Sequence, residues 1–333
     1  MNNSKIDFLA IGDIVIDAFI KLKEAEIEVE NGVTMLEMRF GEKLPYESVK
    51  VVKAVGNAPN ASVSAARLGL HSAVMTHVGD DDFGKECLDA LTEQGVDTSL
   101  VTTEEGKTTN YHYVLSFQAE RTILIKHEEY SYDLKKQVQE VVPSWVYFSS
   151  VGENSMQYHQ DIAAWVKEHG INMAFQPGTF QINLGPEKLK NVYEATEIFF
   201  CNVEEAQKIL DTEETDVKVL MKNIHAFGPK IVCVTDGPDG AYAYDSYTDQ
   251  YWFHPIYPDP KPPVERTGAG DSFSSTFTAA IAAGKSVEEA LSWGPINSMN
   301  VVQYIGAQEG LLTKEQLEDF LRNKPEHYVA QKI

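Results

Sequence analysis

Six short apolar runs recur along the chain, at Ile6–Ile11, Ala73–Val78, Trp145–Ser149, Ile171–Phe175, Ile198–Cys201 and Lys230–Thr235. A strand that is apolar at nearly every position has both faces covered, which is the situation of a largely parallel sheet sandwiched between crossover helices. The intervening residues 60–69, 83–94, 156–169, 203–210, 215–227, 271–283, 287–301 and 313–322 carry helical periodicity. Gly69, Gly95, Gly170, Gly228 and Gly284 follow helical segments and read as C-terminal stops. The pattern predicts an α/β architecture.

Two stretches break this rhythm with period-two alternation, residues 33–54 and 109–127. They are expected to pair with one another as a small sheet that projects from the main domain and covers its cleft. The resulting division is discontinuous: an α/β domain of residues 1–19, 55–108 and 128–333, and a β lid of residues 20–54 and 109–127. A third alternating stretch, Ala241–Asp245 with Gln250–Phe253, reads as a hairpin at the edge of the large sheet. The Pro-rich residues 255–263 form a stiff connector into the segment that begins at Thr267.

A chain of 333 residues supports one large domain with a smaller appendage. Its net charge of -22, from 28 basic and 50 acidic residues, argues against nucleic acid and against an anionic membrane surface as partners. The same field favours a neutral small-molecule substrate. Cys87, Cys201 and Cys233 lack metal-ligand spacing and read as core residues of a protein in a reducing cytosol. The apolar start Phe8–Ile11 runs at once into Gly12 and Asp13, too short for a signal peptide, and the expected location is cytoplasmic. No His-Glu-x-x-His pattern supports a zinc hydrolase.

The chemistry concentrates in Thr267-Gly268-Ala269-Gly270-Asp271 and the small-residue helix that follows. Two glycines around an alanine let the backbone turn with its N–H groups exposed at a helix N-terminus, which makes an anion cradle. Such turns also serve simply to join strand to helix, with an acidic N-terminal residue favouring the dipole. An aspartate beside a bound anion is repelled unless it has a task, and here the task is to take a proton from a hydroxyl as a phosphoryl group arrives.

These residues, with four further places in order, resemble the ribokinase-like (PfkB) family of small-molecule kinases over nearly the whole chain. The resemblance implies a three-layer α/β/α fold with a mostly parallel central sheet and a small β-sheet lid. It implies transfer of the ATP γ-phosphoryl group to a hydroxyl with Mg2+ present, Asp271 as catalytic base, and Gly268, Ala269 and Gly270 supplying an N–H hole. Gly12 and Asp17 look like the family's first-strand glycine and hydroxyl-holding aspartate, with Asp13 as a second contact. Val55-Gly56-Asn57-Ala58-Pro59-Asn60-Ala61 is similar to Gly-Gly-x-x-x-Asn, which implies substrate binding by Gly56, Asn57 and Asn60. The same residues suit a helix start with Pro59 in its first turn. Asn202-Val203-Glu204-Glu205 looks like Asn-x-x-Glu, which implies Asn202 at the nucleotide and Glu205 on magnesium through water. Thr235 and Gly237, after another apolar strand, are implied beside the nucleotide phosphates, and Asn297 with Ile305–Gln308 on the adenine side.

Two departures stand out. Glu265-Arg266 replaces the family's Asp-Thr, which leaves dependence on K+ open, and Val55 replaces a glycine at the sugar pocket. The acceptor is expected to be a ribose- or fructose-like sugar. A nucleoside is the alternative, because Tyr111, Tyr113 and Phe117 are available to stack on a base. A phosphorylated sugar is less favoured, since Arg39, Arg121 and Lys126 are isolated cations. A catalytically silent binding protein of the same fold is the alternative from another class. Exposed lid strand edges lead to the expectation of a homodimer through the lid.

Overall fold

The computed structural model describes residues 5–118, 120–138 and 141–333. Its apolar runs assemble into a nine-stranded sheet in the order Gln331–Lys332, Gln250–His254, Ala241–Asp245, Ile231–Thr235, Ile198–Asn202, Asn172–Phe175, Trp145–Phe148, Phe8–Ile11, Ser72–Met75. From Ser72–Met75 to Ile231–Thr235 every pairing is parallel, and the remaining three strands add antiparallel. The chain enters at Phe8–Ile11, winds to the Ser72–Met75 edge, then returns to build outward on the other side. Ligands of open α/β sheets bind beyond the strand carboxyl ends at such a reversal.

Side chains of the entry strand alternate between two cores. Phe8 and Ala10 pack with residues of the helices Asn57–Arg67, Ala269–Ala282 and Val287–Val301, while Leu9 and Ile11 pack with Met156–His169, Lys190–Ala195, Val203–Leu210 and Val217–His225. The three-layer α/β/α expectation therefore holds. The five helix-stopping glycines all have φ between 62° and 139°. Helices Thr179–Lys188 and Lys190–Ala195 were not anticipated, because Gly185 at φ 77° and Pro186 interrupt their periodicity. All three cysteines are buried, and burial pushes the Cys87 thiol up to about 12.

The smaller sheet has the order Glu120–Leu124, Tyr111–Phe117, Val15–Leu22, Tyr46–Val55. The two alternating stretches do not pair with each other: Val15–Leu22 lies between them, parallel to Tyr111–Phe117 and antiparallel to Tyr46–Val55. The boundary expected after residue 19 thus falls inside a lid strand. Val15–Leu22 escaped notice because its first half is buried on both faces, so it lacks clean alternation. Residues 33–37 pair instead with Glu26–Glu30 in an exposed hairpin, turned by Asn31 and Gly32 at φ 51° and 82°. Lid and main domain meet through Lys50 Nζ to Glu309 at 2.6 Å and Arg121 to Glu265 at 3.0 Å. No helix among the described residues is long and apolar enough to cross a membrane.

Candidate active site

Helix Ala269–Ala282 starts from Gly268, whose left-handed φ of 82° and contact with Ala307 leave no room for a Cβ. Gly270 differs. A Cβ there would meet no atom nearer than Gln176 Nε2 at 3.7 Å, so the chain's own packing does not demand glycine, and the space before it is open to a ligand. Asp271 follows in the first turn. Its Oδ1 accepts from Asn57 Nδ2 at 2.7 Å and Gln176 Nε2 at 3.1 Å, and its Oδ2 from Asn60 Nδ2 at 2.8 Å. Asn57 and Asn60 stand one turn apart at the start of helix Asn57–Arg67, which places both amides on one side.

A cleft of about 180 Å³ opens beside this carboxylate, lined by Asp17, Gly56, Asn57, Asn60, His112 and Asp271 among others, and by no lysine or arginine. Gly56 is held at φ 120°, where a Cβ would press on the Asp13 carbonyl at 2.6 Å. Asp17 and His112 are register partners on adjacent lid strands, so they share a face. His112 Nδ1 is 3.5 Å from Asp17 Oδ1, an oxygen with no hydrogen-bond partner.

Asp13 does not join them in the cleft lining. It sits where the entry strand leaves the large sheet, accepting from Tyr132 at 2.8 Å with His127 Nδ1 at 3.8 Å. Burial pushes its carboxyl up to about 7, against the lowering effect of Tyr132, the Gly152 N–H and His112. Asp13, expected as a second substrate contact, is thus mostly buried and bound to Tyr132 in this structure.

A second cleft, of about 220 Å³, lies on the other side of the cradle, with Thr235, Gly237, Arg266, Ala269, Gly270 and Ser298 in its wall. Asn202 and Thr235 end adjacent parallel strands as register partners. Asn202 caps helix Val203–Leu210 by accepting from the Glu205 N–H at 2.8 Å, and Glu205 accepts from the Asn202 N–H at 2.9 Å. Burial raises the Glu205 carboxyl, and the charge of Asp271 adds to the rise. Asn297 does not reach this cleft. It is fully buried, donating to Thr276 at 2.8 Å and accepting from the Leu312 N–H at 2.9 Å. One residue along a helix turns the side chain by about 100°, so Ser298 faces the cleft and Asn297 the core.

The lid aromatics are also accounted for. Tyr111 packs on Phe83 and Tyr113, with ring centroids 5.0 and 5.2 Å apart, and neither Tyr111, Tyr113 nor Phe117 lines the cleft beside Asp271. Arg39 pairs with Glu24 and Glu42 near the lid tip, and Arg121 with Glu265. Glu265 also accepts from the Thr267 N–H at 2.9 Å, tying the lid contact to the cradle. Gln176 and His112 are residues of this site that sequence reasoning missed, and Gln308, from the stretch expected on the adenine side, donates to Asn60 Oδ1 at 3.0 Å. Gln176 was the most findable, since it follows a predicted strand at the carboxyl edge of the sheet.

The model of the pfkB family carbohydrate kinases matches residues 25–314. The chain is 23% identical to the 5-dehydro-2-deoxygluconokinase of Geobacillus thermodenitrificans (strain NG80-2), covering 96% of this chain and 94% of that one. It is 27% identical to the ribokinase of Bacillus subtilis (strain 168), over 80% of this chain and 87% of that one. Among solved structures, Arabidopsis thaliana ribokinase complexed with ribose and ATP superposes with a TM-score of 0.81 at 20% identity, covering 96% and 99% of the two chains. With the fold, the two clefts and the Gly-Ala-Gly-Asp turn between them, this chain belongs to the pfkB family of carbohydrate kinases and is a phosphotransferase with an alcohol group as acceptor.

Proposed function

We propose that this protein transfers the γ-phosphoryl group of ATP to a hydroxyl of a neutral sugar, with Asp271 as the base. The observation that carries the reading is the position of Asp271 in the wall of one cleft, next in sequence to Gly270 in the wall of the other, its carboxylate gripped by amides from two other elements. The sugar occupies the cleft of Asp17 and Asn60, and the nucleotide the cleft of Thr235 and Gly237. The hydroxyl oxygen bonds to the γ-phosphorus, its proton passes to Asp271, and the bond from the γ-phosphorus to the bridging oxygen breaks to release ADP. The backbone N–H groups at Gly268, Ala269 and Gly270 receive the charge that builds on the transferring group, and Gly270 leaves it room.

Magnesium bound with the nucleotide would neutralise charge on the phosphate oxygens. Among the described residues no group of three or more His, Cys, Asp or Glu side chains forms a metal cage, which suits an ion held mainly by phosphates and water. Glu205, in the helix cap near Asp271, is the carboxylate available to such a water.

A neutral acceptor is favoured because the cleft wall has no cation to hold a second phosphate, and Arg39 and Arg121 are already paired with glutamates. The packing of Tyr111 and Tyr113 away from the cleft removes the support for stacking a nucleoside base. A homodimer through the lid is favoured by the exposure of Val29, Val33, Phe40, Tyr46 and Ile125. A screen of pentoses, hexoses and nucleosides by coupled ADP release tests the reading: turnover confined to nucleosides sinks the sugar assignment, and none at all sinks the kinase. Sedimentation as a strict monomer, with or without substrate, removes the dimer.

A further inference from the structure

The hydrogen bonds on Asp271 can be counted against its capacity. A carboxylate offers about four lone-pair directions, two on each oxygen. Oδ1 accepts from both Asn57 and Gln176, which uses its two, whereas Oδ2 accepts from Asn60 alone. One direction stays open, on Oδ2.

The donors are fixed in turn, which decides which end of each amide faces the carboxylate. Gln176 Oε1 accepts from Ser274 Oγ at 2.7 Å and from the Tyr147 hydroxyl, so the Gln176 NH₂ must point to Asp271. Tyr147 is wholly buried, and burial with the nearby charge of Asp271 keeps its phenol protonated and donating. Asn60 Oδ1 accepts from Gln308 Nε2 at 3.0 Å, which turns the Asn60 NH₂ to Asp271 in the same way.

Resting on the kinase reading above, we infer that Oδ2 of Asp271 is the atom that takes the acceptor's proton, and that Gln176 is a positioning residue that blocks Oδ1 and holds the carboxylate plane. The acceptor O–H bond breaks toward Oδ2 as the bond from its oxygen to the γ-phosphorus forms and ADP departs. Without Gln176 the carboxylate loses a donor on Oδ1, gains a second open direction and rotates, so the fraction of encounters aligned for in-line transfer falls.

The test uses the full chain with ATP and, as probes, D-ribose and D-fructose, reading kcat, both KM values and Tm. Gln176→Met keeps the shape and removes the donor. It is expected to lower kcat by about 10- to 100-fold, with KM for ATP within about twofold and Tm within a few degrees. Gln176→Glu is isosteric, sets an oxygen where the N–H was, and is expected to lose at least as much. It carries the test alone if the methionine variant folds poorly. Tyr147→Phe should slow the wild type by a smaller factor and have no further effect on Gln176→Met, because it acts through that amide. A Gln176→Met enzyme with kcat within twofold of wild type overturns the inference and leaves the kinase standing. Equal losses from Tyr147→Phe in both backgrounds also overturn it. Absence of wild-type ADP release with every sugar and nucleoside in the screen overturns the kinase reading, and this inference with it.

Discussion

Asn60 Nδ2 lies 2.8 Å from Asp271 Oδ2, joining the start of the helix after the lid to the start of the cradle helix. The contact spans 211 positions of sequence. Asn60 is thus shared: it lines the cleft proposed for the acceptor and also grips the group proposed to deprotonate it. In the proposed reading, sugar binding and base alignment are coupled through one amide.

Replacing the base isosterically separates binding from chemistry. Asp271→Asn is expected to fold and to bind ATP with little change, while turnover falls about 10²- to 10⁴-fold. Calorimetric ATP titration together with ADP release checks both halves, and near wild-type turnover removes Asp271 from the role of base.

The two cradle glycines should fail for different reasons. Gly268→Ala places a side chain at φ 82° and against Ala307, so a marked loss of Tm is expected. Gly270→Ala has space within the chain, so Tm should hold while KM for ATP rises or kcat falls by tenfold or more, on the order of 1.4 kcal/mol. Equal Tm losses in the two variants would contradict an open, ligand-facing Gly270.

Asn297 separates a buried structural amide from a nucleotide contact. Asn297→Leu leaves the Leu312 N–H without its acceptor and is expected to cost about 1–3 kcal/mol of stability. KM for ATP should stay within about twofold. A selective rise in that KM with Tm unchanged would return Asn297 to the nucleotide.

Asp13 makes stability depend on pH. Its carboxyl lies near 7 in the folded protein against 3.8 ordinarily, so the fold keeps a proton that the unfolded chain has released. Its contribution is complete below about pH 4 and is lost as pH rises through about 7. Asp13→Asn retains an acceptor for Tyr132 and removes that loss, so its stability relative to wild type should rise by about 1–3 kcal/mol between pH 5 and 8. A constant difference across that range, measured by denaturant titration, contradicts a proton held on Asp13.

The lid contacts should matter more for substrate than for folding. Lys50–Glu309 and Arg121–Glu265 are partly exposed pairs, each contributing roughly 0.2–1 kcal/mol. The double variant Lys50→Met with Arg121→Met is expected to keep Tm within a few degrees and to raise KM for the sugar about two- to fivefold. An unchanged KM at low salt would show that these pairs do not hold the lid over the cleft.

Local pattern was enough for the sandwiched parallel strands, the glycine-stopped helices and the cradle at Gly268–Asp271, because each follows from periodicity or turn chemistry within a few residues. Long-range packing decided the rest. It moved Val15–Leu22 into the centre of the lid, turned Asn297 into the core, joined Asp13 to Tyr132, and brought Gln176 to Asp271 from 95 positions away. A polar side chain's role depends on which partner satisfies it and which face it occupies, and those are set only when distant segments meet.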